Sequence, residues 1–372
     1  MGKNRREFLQ HSIGAITAGA FGLSLPAGRA FAQANMEALA AEAIKAGQKQ
    51  VVIAGVAGTF GEHVTNIMFK PFTAQTGIEV VNVPAGYTER LARLQAQYLA
   101  GAPKEWDVVV LPLDRYAIAK PFLRDLGTCS ALPDVLANAP AESCLGSAVM
   151  TNGGAVVMIY DRKAYPGDQP ASWADFWNVE KFPGQRMMPN VGAPWAVIAA
   201  ALLADGVARE NLFPFDLDRA FKKLDQIKPH VIWWTGGDQS VQLMRSGETS
   251  LGMMWIGRAY SVTQQGLDAN IVYPGAPLDA TFWGVTREAP NPLAGLALLN
   301  FYFTRPEAHL EFLKATGEAT FLKALVDLMP DDIRKVAAPA PQNWRNVIMP
   351  DLDYLAANEK EIQTRFNGWI AG

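Results

Sequence analysis

Short apolar runs alternate with amphipathic segments along most of the chain. The run QVVIAGV at 50–56 is apolar and rich in β-branched residues, which favours a buried strand. The segment after it has helical spacing and ends at Gly77, and the same strand-then-helix order continues to WDVVVLPL at 106–113. This order predicts an α/β protein, with a parallel sheet covered by helices on both faces.

The loops at the carboxyl ends of these strands are the first candidate for a binding site, because ligands bind there in such sheets. They read AGTFGEH, PAGYTE and LPLDRY. Neither GxxxxGK nor a GxGxxG motif after the first strand is present, so no nucleotide and no other cofactor is predicted.

A second unit begins within GGAVVMIYDRKAYP at 153–166. Helices are predicted over 193–206 and 215–231, and then a helix and the strand TSLGMMW. The segment ATFWGVTREAP at 280–290 starts a return to the first unit. A sheet that leaves one lobe and enters it again later predicts two lobes with a ligand cleft between them.

The amino-terminal segment is predicted to be an export signal. Arg5-Arg6 precedes an apolar stretch at 13–25, which is shorter than the roughly 20 residues that span a bilayer. The arginine pair is similar to a twin-arginine signal, and an ordinary secretory signal is the alternative. Cleavage is expected after Ala32, or otherwise after Ala34, which predicts a soluble periplasmic protein.

Composition and charge exclude several classes of partner. The formal charge is −3 and the basic residues are scattered, so neither nucleic acid nor an anionic membrane surface is an expected partner. No segment after the signal is long and apolar enough for a membrane helix. The four histidines are far apart and no CxxC or HExxH motif occurs, so no metal site is predicted.

The only two cysteines are Cys129 and Cys144. In an oxidising compartment two nearby cysteines tend to pair, and closing this loop would contribute about 3 kcal/mol. We expect a disulfide; two free buried thiols are the alternative.

Five segments, in order, resemble the extracellular solute-binding proteins of ABC importers, and within them the spermidine/putrescine-binding group. They are FKPFTAQTGIEVV, WDVVVLP, PASWADFWNVEKFPGQ, LMRSGETSLGMMWIGRA and FWGVTREAPNPLAGLALLNFYFTRPEAHLEFLKATG. Each segment alone is a weak signal, but their order is specific. The resemblance covers essentially the whole chain after the signal.

The resemblance implies a two-lobed periplasmic-binding-protein fold of the type II-like kind, with a ligand held in the cleft between the lobes. It also implies a monomer that captures a small amine-containing solute, polyamine-like or zwitterionic. Such a protein delivers the solute to an ABC permease and its ATPase in transient contacts. The expected division is a signal at 1–32, lobe 1 at 36–153 and 282–325, and lobe 2 at 156–279 and 330–372.

The same resemblance, carried over position by position, implies a set of ligand-binding residues. In polyamine binders aromatic rings stack on the methylene chain and carboxylates pair with the ammonium groups. The matching positions here are Phe60, His63, Asp114, Trp255, Arg258, Trp283 and Glu318.

The chain departs from the polyamine pattern in its charged residues. The family's Trp-x-Asp reads Trp283-Gly284-Val285, so one carboxylate is lost, and Arg258 stands where a small residue is usual. A guanidinium opposes a polycation and can pair with a carboxylate, so a zwitterion such as an amino acid or aminophosphonate fits better.

Plainer roles stay open for the same residues. Arg258 can form a surface or interlobe salt bridge, the tryptophans can be core residues, and the remaining positions can be ordinary packed or solvated side chains. The sequence does not decide which of Trp233 and Trp234 faces the cleft.

Two other functions stay open. A ferric-iron or organic-anion binder of the same fold is one, although the adjacent tyrosines of ferric binders are not found. An exported enzyme that uses paired carboxylates is a more remote alternative; no catalytic triad, metal cluster or cofactor loop supports it.

Overall fold

The structure is a computed structural model that describes residues 37–192 and 194–372. The predicted export signal, with its arginine pair and its cleavage site after Ala32, lies outside the described residues. Within them, no helix combines the length and the apolar character needed to cross a membrane.

Eleven strands join into one strongly bent sheet. The strands are β1 (Gln50–Gly55), β2 (Glu79–Pro84), β3 (Val108–Pro112), β4 (Val149–Asp161), β5 (Arg186–Pro189), β6 (Val231–Trp234), β7 (Leu251–Trp255), β8 (Ala269–Val272), β9 (Ala276–Val285), β10 (Ala319–Thr320) and β11 (Val347–Ile348). Their spatial order is β2-β1-β3-β9-β4-β7-β5-β6, with β8 and β10 beside β4 and β11 beside β9.

Helices cover both faces of this sheet. After a helix that ends at residue 45, they are α1 (Gly58–Val64), α2 (Lys70–Thr76), α3 (Tyr87–Leu99), α4 (Tyr116–Ala119), α5 (Pro133–Asn138), α6 (Trp173–Trp177), α7 (Trp195–Ala204), α8 (Leu217–Asp225), α9 (Gly237–Arg245), α10 (Ile256–Gln264), α11 (Pro292–Phe301), α12 (Pro306–Thr316), α13 (Lys323–Leu328), α14 (Asp331–Val336), α15 (Pro341–Trp344) and α16 (Leu352–Ala371). A π-helical turn, Thr65–Phe69, joins α1 to α2.

The first half of the sheet forms as the apolar runs predict. β1 pairs in parallel with both β2 and β3, and the intervening helices return the chain to the same edge each time. Helix α2 ends at Gly77, whose φ of 73° is the left-handed conformation that glycine adopts without strain. The carboxyl ends of β1, β2 and β3 therefore lie side by side.

Two strands run through both halves of the molecule. The first part of β4 pairs with β9, and from Val156 onward β4 pairs with β7 and β8 instead. β9 in turn pairs with β3 on its other edge. One buried cluster is centred on β1, β3, α11 and α12, and another on α6, α7, α8 and α16. This arrangement gives the two lobes that the sequence predicts.

One predicted helix is shorter than expected. The sequence pattern predicts a helix over 215–231, but α8 ends at Asp225 and Val231 begins strand β6. Pro229 explains the difference, because proline has no N–H for the helical ladder and disfavours helix in the residue before it.

The predicted disulfide is confirmed. Cys129 and Cys144 are bonded, with their Cα atoms 6.1 Å apart. The bond closes the loop that leads into β4, on the lobe 1 side of the molecule.

Candidate functional site

A cleft with a volume of about 540 Å³ opens between the two lobes. Three parts of the fold meet there: the carboxyl ends of β2 and β3, the start of α7 with the end of β7, and the middle of β9. Such a volume lies within the range of small-molecule sites. The side chains that matter for its chemistry are Tyr87, Asp114, Trp195, Trp255, Asp279 and Glu359.

Two carboxylates face this cleft from different strands. Asp114 follows β3 in the short turn Leu113–Arg115, and its Oδ1 is buried without a hydrogen-bond partner. Burial raises the pKa of Asp114, while the Arg115 guanidinium at 3.8 Å opposes that rise. A buried carboxylate oxygen without a hydrogen bond costs free energy, so this atom is a place for an incoming donor.

Asp279 is the second carboxylate, on the strand that crosses between the lobes. It is the exposed residue in the otherwise buried run Ala276–Ala280, because alternation points its side chain into the cleft. The side chain is open to the cleft, which protein surrounds on most sides. This enclosure, followed by the charge of Asp114, raises the pKa of Asp279 to about 7.

Glu318 lies deeper, immediately after the glycine that ends α12. Asn152 on β4 donates a hydrogen bond to Glu318 Oε1, with a donor–acceptor distance of 2.5 Å. Burial raises the pKa of Glu318 to about 7; Asp279 adds to this, while Asn152 and Arg258 oppose it. Glu318 lines a void of about 30 Å³ that adjoins the cleft at Tyr87.

Aromatic rings cover the other surfaces of the cleft. Tyr87 is the first residue of α3 and is 43% exposed. Trp255 ends β7 and packs edge-on against the buried Trp234, with ring centres 4.9 Å apart. Trp195 starts α7. Such rings offer apolar contact to methylene groups and cation–π attraction to an ammonium.

Arg258 stands beside the aromatic surface of lobe 2. Its side chain packs over Gly237 together with the ring of Trp255; a Cβ at Gly237 would come within 2.6 Å of Arg258 Nε. Arg258 pairs with Asp238 at 3.1 Å, and both side chains are well exposed. Such a pair is weak, so the guanidinium can exchange this partner for a ligand at little cost.

The structure brings together most, but not all, of the site residues predicted from the sequence. Asp114 and Trp255 line the cleft, and Phe60, Trp283 and Glu318 line the adjoining void. Arg258 is next to Trp255 without lining the cleft itself. His63 lines neither space. The ligand-binding roles of these seven residues stay predictions.

Trp283 is placed in the core of lobe 1. It is 3% exposed and packs against Phe69 and Tyr302. Trp233 packs against the carboxyl-terminal helix at Phe366, while Trp234 is fully buried. Neither Trp233 nor Trp234 is among the residues that line the cleft or the void.

Sequence reasoning missed four of the six cleft side chains named above: Tyr87, Trp195, Asp279 and Glu359. A single acid in the apolar strand APLDATFWGV was a usable signal for Asp279. Tyr87 lies in the loop PAGYTE, which was recognised as a strand end, but its ring was not singled out. Trp195 follows a proline at a helix start, and nothing in that pattern indicates a cleft.

Comparison with known proteins identifies the family. Residues 68–340 match the model of the bacterial extracellular solute-binding proteins. A γ-aminobutyric acid-binding protein of Pseudomonas aeruginosa is 31% identical over 315 residues, which are 82% of this chain and 86% of that protein. The chain belongs to the bacterial extracellular solute-binding protein family and is a solute-binding component of an ABC transporter.

Other relatives and solved structures agree with this assignment. The spermidine/putrescine-binding periplasmic protein of Escherichia coli is 25% identical over 70% of this chain and 75% of its own length. A γ-aminobutyric acid receptor has 31% identity and a TM-score of 0.76 over 86% of this chain and 97% of its own. The periplasmic binding protein AttC of Agrobacterium tumefaciens, in an open unliganded conformation, has 33% identity and a TM-score of 0.75 over 87% and 99%.

Proposed function

We propose that the protein captures a small organic zwitterion, with an ammonium at one end and a carboxylate at the other, and delivers it to an ABC permease and its ATPase. A short ω-amino acid of the γ-aminobutyrate type is the model ligand. The observation that carries the proposal is the buried Oδ1 of Asp114, which has no hydrogen-bond partner and lies beside the cleft carboxylate of Asp279.

The ammonium end fits the side of the cleft formed by lobe 1 and β9. Two carboxylates that face one space with raised pKa values repel each other, and a cation between them removes that cost. Tyr87 and Trp255 border the same space and suit the methylene groups of the ligand.

The carboxylate end fits the lobe 2 side. Arg258 is the guanidinium next to Trp255, and its present partner Asp238 is almost fully exposed. Arg115, which also borders the cleft, is engaged by Glu359. A guanidinium that grips a ligand carboxylate in two parallel hydrogen bonds would favour an amino acid over a diamine.

The relatives support this class of ligand. The γ-aminobutyric acid-binding proteins have 31% identity, whereas the polyamine-binding proteins have 25%. A polyamine is the second candidate, because three acids, Asp114, Asp279 and Glu318, stand near the cleft. A linear diamine could pair its two ammonium groups with two of them.

We also propose a monomer that works in the periplasm after export, with the lobe boundaries given by the sequence pattern and no catalytic activity. The continuity of β4 and β9 between the lobes supports those boundaries, and the relatives support a binding role.

Isothermal titration of γ-aminobutyrate, putrescine, spermidine and butyrate against the purified protein tests the ligand class. We expect γ-aminobutyrate to bind at micromolar or lower concentration, and butyrate, which lacks the ammonium, not to bind. Tight binding of putrescine without binding of γ-aminobutyrate would replace the zwitterion by a polyamine. If γ-aminobutyrate, putrescine and spermidine all fail to bind, and a wider thermal-shift screen of amines finds no ligand either, the proposed ligand class is overturned.

A further inference from the structure

A buried arginine lies directly behind the ring of Tyr87. Arg90 is one turn further along α3 and is only 1% exposed. Its Nη1 donates to the carbonyl oxygens of Ala54, near the end of β1, and Val110 in β3. Its Nε is buried and has no hydrogen-bond partner. The guanidinium is therefore fixed to two strands of the lobe 1 sheet.

The same guanidinium faces Tyr87. Its Cζ lies 4.4 Å from the centre of the Tyr87 ring, which is a stacking distance. Tyr87 borders both the cleft and the void beside Glu318. The ring thus has the rigid interior of lobe 1 on one side and the ligand space on the other.

Arg90 is an expensive residue to bury. Burial lowers its pKa, and the side chain that acts against this is Tyr87. A leucine or methionine would fill the position without that cost. Arginine differs from lysine in having a planar group with a fixed fork of N–H donors. Its presence here is explained if the site needs that plane and those donors.

We propose that Arg90 is a positioning residue for the ligand site: bonded to the backbone of β1 and β3, it holds the ring of Tyr87 in the orientation that covers the ligand. The inference rests on the proposed binding site and extends it to a residue that does not itself line the cleft.

The plain alternative is that Arg90 only anchors the start of α3. An anchor would affect stability whatever the residue at 87, while a positioning residue acts through Tyr87. Arg186 is a matched control for the anchor role. It is fully buried in lobe 2 and donates to several backbone carbonyls, among them those of Phe176 and Asn178, away from the cleft.

A double-mutant cycle separates the two roles. We expect Arg90→Lys to weaken solute binding about tenfold in the otherwise unchanged protein. In the Tyr87→Ala background the same change should alter affinity less than twofold. Arg186→Lys should lower the melting temperature without changing affinity. Equal losses in both backgrounds, or no loss in either, would overturn the proposal.

A second measurement needs no ligand. In unliganded protein labelled with 3-fluorotyrosine, the Tyr87 fluorine signal is assigned by its loss in Tyr87→Phe. A held ring predicts a signal displaced from the position of free fluorotyrosine, which moves toward that position in Arg90→Lys and not in Arg186→Lys. A Tyr87 signal already at the free position in the unchanged protein would overturn the proposal. If no solute binds, the ligand class fails, and this spectrum still decides the role of Arg90.

Discussion

The two sides of the cleft differ in kind. The lobe 1 side and strand β9 carry buried or enclosed acids, Asp114, Asp279 and Glu318, with Tyr87 between them. The lobe 2 side carries the rings of Trp195 and Trp255, with Arg258 at its edge. The lobe 1 side is charged, and enclosing its acids costs free energy while the cleft is empty. The lobe 2 side is apolar and contributes to binding when it covers a ligand.

This difference suggests how recognition is divided between the lobes. The acids stand on or next to strands, where the backbone holds them in place, so the ammonium site exists before the ligand arrives. The guanidinium of Arg258 is half-exposed on a helix and is held by one weak ion pair. We infer that the lobe 1 side binds the ammonium group of the ligand. The lobe 2 side then discriminates between ligands by the group at their other end.

The largest expected effect separates the two tryptophans named by the sequence. Trp283→Ala should lower the free energy of unfolding by about 3–5 kcal/mol, because it empties a packed position in the core of lobe 1. Trp255→Ala should chiefly weaken binding, since its ring borders the cleft. Urea unfolding and calorimetric titration of both variants check this. A normal stability with lost binding in Trp283→Ala would instead place that ring in the ligand site.

The next effect tests the acidic side. Asp279→Asn should weaken binding of an amine by about 2–3 kcal/mol, because a charged acceptor is replaced by a neutral one next to Asp114. Asp268→Asn, an exposed acid paired with Arg162, is the matched control and should bind normally. Unchanged affinity in Asp279→Asn would remove the acidic side from the comparison.

A smaller effect is expected on the other side. Arg258→Ala should weaken γ-aminobutyrate by about 1.5–3 kcal/mol, the usual strength of a hydrogen bond to a charged group. The affinity for putrescine should stay unchanged or rise in this variant, because a positive charge that repels the diamine is removed. Arg245→Ala, an exposed arginine elsewhere in lobe 2, serves as the control. If Arg258→Ala bound putrescine more weakly and γ-aminobutyrate with unchanged affinity, the division of roles between the two sides would be contradicted.

The smallest effect follows from pH. Asp279 and Glu318 hold protons up to a pH of about 7, against usual pKa values of 3.8 and 4.5. The unliganded fold therefore loses stability as the pH rises from about 4 to about 7. An ammonium favours the ionised acids, so affinity should rise about tenfold per coupled carboxylate between pH 6 and pH 8.

Calorimetry in buffers of different ionisation enthalpy checks this, since binding should release protons. Asp279→Asn should flatten the pH dependence. An affinity that is flat over this range in the unchanged protein would show that neither acid changes protonation on binding.

The sequence predicted the parts of the fold that depend on local pattern. The β-branched apolar runs at β1 and β3 and the long apolar segment at α7 are local signals, and these elements formed within a few residues of expectation. Strand β6 was missed because it is four residues long and follows Lys228–His230, which the pattern joined to a helix. Its pairing with β5 is a long-range event that no local signal announces.

The site was only partly predictable, for a different reason. Asp114 and Trp255 stand at strand ends, where topology alone brings residues to the cleft. Asp279 is in the middle of a strand, and its role depends on β9 crossing between lobes. Arg90 lies on an ordinary amphipathic helix. Its burial behind Tyr87 depends on how that helix packs, and the sequence shows neither the packing nor the burial.

The disulfide between Cys129 and Cys144 also makes the protein a practical optical reporter. Because these are the only cysteines in the chain, a thiol introduced anywhere else would be the single site for a maleimide dye. Val191 is 38% exposed on the lobe 2 side of the cleft. An environment-sensitive fluorophore there would convert lobe movement into a change of emission, so solute capture could be read in real time without labelling the solute.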